Sequence, residues 1–437
     1  MDRVESYVLP SGAGRPSLEQ LRAPGGMDRL RSLARALEPE APLAAETVGP
    51  AASYAPLSRH ASAAAPLPPA RSVAFAAAPA VTYPEPSRTM TLDECRKGLG
   101  SDKKFYVKSR FAVCTGASFT QTWFRNNRPS GLSWFNVRVV GTVAKNSREI
   151  NYRYHFSEMG KDGTPPTSGL KVTTKGAIPQ SWPSTARYTQ GGDMPGTRTF
   201  DQLKQLKTFT HTVHAKPGQG SSGSSDLVFS VYEPTIALKP PAGFTLGGAQ
   251  GGKLFMLAPR WDAAKYLTNS TGGGNPARKG AATFSYVTAL RYSAKQGAPE
   301  RAVAQHIKTA FTKPQDTKPV MAAKKVPGQV ARDPLHRLVE TGRRDENRKA
   351  AVKQCKRYWG DNYSQGSTRE CDEYPFATTH EGAAQPDYDP DAKKFNFSAK
   401  PVGKDPNRAA GTLLNGFYGK NRIISGLDDG FLVKITS

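Results

Sequence analysis

Between residues 90 and 294 the chain is cut into short alternating runs separated by clusters of Gly, Ser, Pro and Asn. This restricts the fold more than any other feature. Residues 105–114 (FYVKSRFAVC), 134–143 (WFNVRVVGTV), 150–156 (INYRYHF), 227–232 (LVFSVY) and 283–292 (TFSYVTALRY) read as strands, with a turn-rich break such as 217–225 (PGQGSSGSS) between two of them. Strands this short and closely spaced predict an antiparallel sandwich or barrel over residues 89–296. Trp123, Phe124, Trp134 and Phe135 are expected in its core.

The flanks differ in texture. Residues 1–88 are rich in Ala, Pro and Arg, and segments such as 61–70 (ASAAAPLPPA) carry too little apolar surface to offset chain entropy. A disordered leader or linker is expected there, with one amphipathic helix at 27–37 (MDRLRSLARAL). From residue 297 to 437 the pattern turns α+β. A helix is expected at 299–311, with Val303, Ile307 and Ala310 on its apolar face. A Lys/Pro-rich connector at 313–328 follows, then a charged helix at 333–356 with Pro334 in its first turn. A closing strand is expected at 431–435. The fold class is therefore multidomain: a leader, an all-β middle domain, and a C-terminal α+β domain.

The formal charge is +25, from 61 Lys and Arg against 36 Asp and Glu. Nine Arg, no Lys and eight acids fall in residues 1–88, so +24 of it belongs to the rest. Such a balance favours phosphate backbones or other anionic surfaces as partners. No apolar run is long enough to span a membrane. The start at Met1 lacks the basic and apolar stretches of an export signal, and the apolar run at 73–81 is internal and broken by Pro79. The four cysteines fall into two close pairs, Cys95 with Cys114 and Cys355 with Cys371, which suits disulfides in an oxidising compartment. Four free thiols are the alternative.

The chemistry concentrates in residues 371–384 (CDEYPFATTHEGAA) and 406–411 (PNRAAG). Asp372 and Glu373 precede Tyr374-Pro375, residues 376–379 can form a strand, and 394–402 alternates like its hairpin partner. Asp405-Pro406-Asn407 then opens a helix through 408–418. Strand, strand and helix in that order bring a carboxylate beside an amide oxygen at a helix start. That combination suits phosphodiester hydrolysis, which needs a base for water and positive charge for the leaving oxygen. Oxygen ligands alone can hold Mg²⁺ or Mn²⁺, and Arg408 could grip phosphate. The competing reading makes Asp372, Glu373 and Asn407 ordinary turn and cap residues.

These residues resemble the signature of the NucA/NucB deoxyribonuclease family: a D-E-[YW]-P-x-A stretch, an E-G-G step and N-R-x-A-G. Here they are Asp372 to Ala377, Glu381-Gly382-Ala383, and Asn407 to Gly411. Residues 304–308 (AQHIK) and Glu346-Asn347-Arg348 are similar to the family's first two helices. The resemblance covers about residues 299–435 and implies a secreted, metal-dependent, sequence-nonspecific deoxyribonuclease with a ββα-metal core. It implies Asp372 as the general base and Asn407 as a metal ligand. Glu381 becomes a second ligand or a carboxylate that positions water. Glu373 is implied as catalytic, or as structural through Arg408 or a backbone amide. Cys371 pairs naturally with Cys355. His380, beside Glu381, could contact phosphate or metal, or be a solvent-facing loop residue; His306 and His336 stand under the same alternative. Expected partners are DNA through its backbone, a cell-wall or matrix ligand for the β domain, and an immunity protein if the chain is a toxin-like effector. A β-rich binding protein with an inactive nuclease remnant is the non-enzymatic alternative.

Overall fold

The computed structural model describes residues 2–12, 14–35, 81–100, 104–220 and 226–437. The chain divides into two compact units. One gathers the described residues up to 35 with 86–286, and the other gathers 81–85 with 287–437.

The first unit is built on antiparallel sheets, as the alternation predicts. Three long strands, Ala112–Arg125, Arg128–Val143 and Glu149–Gly163, run in sequence as a meander at the centre of an eight-stranded sheet. Two four-stranded sheets complete the unit. Alternate residues from all three sheets, including Phe119, Val139, Tyr152, Val172, Ile236 and Trp261, meet in one apolar core. Trp123 and Phe135 are buried in it as expected; Phe124 is buried too, under the Arg3 guanidinium, but is not part of that cluster. Trp134 lies half-buried under the Arg15 guanidinium, 4.0 Å from its ring centre. The run at 105–114 breaks at Arg110-Phe111 into Phe105–Ser109 and the start of the first long strand.

The expected disorder of the leader is corrected over residues 2–35. Asp2–Pro10 forms a strand, antiparallel to Ala112–Arg125 on one side and parallel to Phe244–Gly248 on the other. The reason is alternation within the segment: Val4 faces the main core, while Tyr7 and Leu9 face a second cluster. The helices Leu18–Arg22, with a Ser17/Gln20 capping box, and Gly26–Arg35 cover that cluster with Leu18, Leu21 and Leu30. The 27–37 helix was legible; the strand before it was not. Residues 36–80, including the 61–70 segment and most of the 73–81 run, lie outside the described residues.

In the second unit the Arg301–Thr312 helix buries Val303, Ile307 and Ala310 as predicted. The next helix starts later than expected, at Thr341, and runs to Trp359. Leu335-His336 is instead a short strand against Gly430–Thr436, which also pairs parallel with Thr288–Ser293. The 283–292 run is therefore split: its first half pairs within the β-rich unit, and its second half joins the C-terminal sheet. Among the described residues no helix is long and apolar enough to cross a membrane.

Candidate active site

A two-stranded antiparallel hairpin leads straight into a helix. Arg369–Tyr374 pairs with Ser398–Gly403, and the Lys404–Lys420 helix follows without a break. The order is strand, strand, helix, as the sequence predicts, but the first strand lies earlier. Residues 376–379 form a turn, with the Thr379 amide donating to the Phe376 carbonyl (2.9 Å). Pro375 has no N–H to continue the ladder, so the strand ends at Tyr374.

Strand alternation sorts the acids. Glu370 and Asp372 share one face; Cys371 and Glu373 share the other. Asp372 is 6% exposed, and its Oδ2 lies 2.6 Å from Nδ1 of the buried His306 on the Arg301–Thr312 helix. The opposite ring nitrogen lies 2.6 Å from Ser398 Oγ on the partner strand. A carboxylate only accepts, so Nδ1 donates to it, and in the neutral ring Nε2 accepts from the serine hydroxyl. His306 is thus a buried tether for Asp372 and not a solvent-facing residue.

Glu370 was not among the sequence candidates. Its Oε2 accepts from Asn407 Nδ2 (2.8 Å), and its Oε1 lies 3.9 Å from Arg408 Nε. Asn407 stands in the first turn of the Lys404–Lys420 helix, and among the described residues its Oδ1 accepts no hydrogen bond. Arg408 is exposed. The signal that would have revealed Glu370 is its position two residues before Asp372 on a strand.

Glu373 points toward the Thr341–Trp359 helix. Burial and the charge of Asp372 push its carboxyl up to about 8, against the charge of Arg348 and the Ala377 amide. Of its two expected structural partners, the backbone amide is present; Arg408 belongs to Glu370.

The turn after the strand carries the remaining candidates. Asn347, fully buried on the Thr341–Trp359 helix, clamps it with three hydrogen bonds. Its Nδ2 donates to the carbonyls of Ala377 (3.0 Å) and Thr379 (3.1 Å), and its Oδ1 accepts from the Ala384 amide (2.9 Å). Glu381 on this turn accepts from the His336 amide (2.9 Å) and lies 2.7 Å from His336 Nδ1. His380 is half-buried, with Arg343 donating to its Nδ1 (3.2 Å) and its carbonyl (3.0 Å). Burial and Arg343 hold its ring down at about 4.

Both cysteine pairs are bonded. Cys95 on the Leu92–Leu99 helix joins Cys114, and Cys355 on the Thr341–Trp359 helix joins Cys371 in the hairpin. In the 313–328 connector one lysine faces inward. Lys324 Nζ donates to Thr317 Oγ1 (3.0 Å), the Phe397 carbonyl (2.8 Å) and the Pro319 carbonyl, and its burial pulls its pKa down to about 8.

Among the described residues no group of three or more His, Cys, Asp and Glu is arranged to hold a metal ion. The Asn407 amide meets the Glu370 carboxylate through its nitrogen, two strand positions from Asp372. Mg²⁺ commonly takes only one or two protein ligands and completes its shell with water and phosphate. The donor chemistry of this pair fits such an ion.

Comparison with curated proteins and with solved structures finds no match. Residues 324–433, in the C-terminal region, match the family model described as deoxyribonuclease NucA/NucB.

Proposed function

We propose that the chain is a secreted, metal-dependent endodeoxyribonuclease that hydrolyses DNA without reading its sequence, with its site on the hairpin and the helix that follows. The observation that carries this is the placement of Asp372 and Glu370 on one strand face, with Glu370 holding Asn407 and lying beside Arg408, inside a region that matches a deoxyribonuclease family.

In this reading Asp372 takes the proton from the attacking water. His306 and Ser398 hold its carboxylate in one orientation, so little rearrangement is needed when the proton arrives. Asn407 Oδ1 and the Glu370 carboxylate would hold Mg²⁺ or Mn²⁺, which supplies positive charge for the developing phosphorane. Arg408, exposed at the helix start, grips a phosphate oxygen. Glu381 accepts from His336 through both oxygens, which favours positioning water over direct ligation. Glu373 lies on the opposite strand face and serves the hairpin more than the reaction. Backbone contacts without base contacts give cutting that is indifferent to sequence. The two disulfides support a location outside a reducing compartment.

The test is plasmid nicking by the full chain, disulfides intact, with Mg²⁺ or Mn²⁺. Cutting should stop with EDTA. Asp372→Asn should slow it by roughly 10²–10⁴-fold, the usual worth of a general base. Intact plasmid across several divalent ions would overturn the enzyme reading.

A further inference from the structure

The Thr341–Trp359 helix carries seven Arg and Lys against two acids in nineteen residues. Its inner side is fixed by packing. Ala351 and Cys355 lie buried against Phe397 and Ala399, and Cys355 is bonded to Cys371. Cys371 and Glu373 share that face of the hairpin, so the helix covers the face opposite Asp372.

The outer side is basic. Arg348, Lys349, Lys353 and Lys356 follow one another at one-turn spacing, all exposed, and with Asp345 and Val352 they line a shallow depression of about 480 Å³. Arg348 meets Asp345 at 3.4 Å and Lys356 meets Asp361 at 3.5 Å, exposed pairs that hold little energy. With Glu346 and Arg357, three acids stand among five cations. Lys349 and Lys353 have no partner among the described residues. The stripe ends in Trp359, three residues beyond Lys356 and therefore on the same side. Trp359 is 41% exposed, and its indole N–H has no partner among the described residues. Its ring meets Tyr358 edge-on at 6.1 Å, and Lys318 and Arg357 lie 5.4 and 5.7 Å from the Tyr358 ring centre. A large aromatic left open beside cations marks an interaction surface, not a core position.

We propose that this face binds single-stranded DNA away from the cleavage site. Arg348, Lys349, Lys353 and Lys356 hold its phosphates, and Trp359 stacks on an unpaired base. From Arg348 to Trp359 is about 16 Å along the helix axis, room for a few phosphates of one strand. A duplex could meet the cations but hides the faces of its bases, so the open indole favours a single strand. The choice of DNA rests on the deoxyribonuclease reading of this domain. Because the hairpin lies between this face and Asp372, the strand held here is a different stretch from the one being cut. A long substrate then meets the reaction site at a raised effective concentration, and a short one does not.

The test is fluorescence anisotropy of a labelled 30-nucleotide oligothymidylate, and of a 30-base-pair duplex, with the full chain in EDTA over a range of salt concentrations. The single strand should bind more tightly than the duplex. Trp359→Ala should weaken single-strand binding by at least about fivefold, the loss of one stacked base, and leave duplex binding unchanged. Lys349→Gln/Lys353→Gln should lower the slope of log K against log salt by about 1.4, which is about 0.7 for each phosphate contact. Lys349→Arg/Lys353→Arg should restore it. With Mg²⁺ present, the glutamine variant's KM should rise for long single-stranded DNA and stay the same for a tetranucleotide. Equal binding of strand and duplex by the wild type overturns the surface, and that comparison needs no variant to fold. So does an unchanged salt slope in the glutamine variant, or wild-type binding by Trp359→Ala. These binding responses in a protein that never cuts DNA would leave the surface standing and remove the nuclease reading. Cutting without any of them would do the reverse.

Discussion

The clamp around Asn347 gives a prediction whose size follows from the structure. Gly382 packs against this side chain so closely that a β-carbon there would fall 2.3 Å from both Cγ and Nδ2 of Asn347. Its backbone does not require glycine, since its φ is not positive; the constraint is space. Asn347→Ala removes three hydrogen bonds at about 1 kcal/mol each, so a loss of about 3 kcal/mol is expected. Gly382→Ala should cost about 1–3 kcal/mol by overpacking. In the double variant the new methyl meets the space left by the amide, so the losses should not add. The double variant should be more stable than the sum by at least about 1 kcal/mol, beyond the roughly 0.5 kcal/mol expected for independent sites. Hydrogen exchange of the Thr341–Trp359 helix amides reports opening of this unit alone and is the suitable assay. Additive losses would refute the contact, and a cost below about 1 kcal/mol for Asn347→Ala would refute the clamp.

Two further predictions concern stability. Replacing Cys355 and Cys371 by alanine should lower the stability of the C-terminal unit by about 3 kcal/mol, the entropy of closing a loop of this length, read as a fall in the urea midpoint of the oxidised protein. Glu373 should make the protein less stable as pH rises. Its folded value of about 8 lies above the ordinary 4.5, so between these values the unfolded chain has lost a proton that the folded one retains. Stability attributable to this group is full below about 4.5, declines toward 8 and is flat above it. Glu373→Gln should flatten that slope in denaturant midpoints taken at pH 5, 7 and 9, and an unchanged slope would show that the group is not buried as described.

Much of this protein is legible in residues read locally. The two-residue alternation of 134–143 and 150–156 announces strands because a pleat sends successive side chains to opposite faces. Val303, Ile307 and Ala310 announce a helix for the corresponding reason at 3.6 residues per turn. The motif of residues 371–384 and 406–411 points to the deoxyribonuclease family that residues 324–433 match. The close cysteine pairs are bonded as their spacing suggested.

What sequence reading missed depends on partners remote along the chain. Asp2–Pro10 reads as a leader because its strand character appears only when residues 112–125 and 244–248 lie on either side. Leu335-His336 reads as helix because the strand that captures it begins at Gly430. In the site, the sequence supplies Asp372, Glu373, Glu381 and Asn407, but not which of them face the same way. The hairpin register separates Asp372 from Glu373, and the turn held by Asn347 sets Glu381 against His336. Side-chain type and periodicity are properties of neighbours in the chain, so the sequence alone determined the elements and the chemical vocabulary. Which donors meet which acceptors is decided by contacts between residues tens of positions apart, and only the tertiary structure sets those.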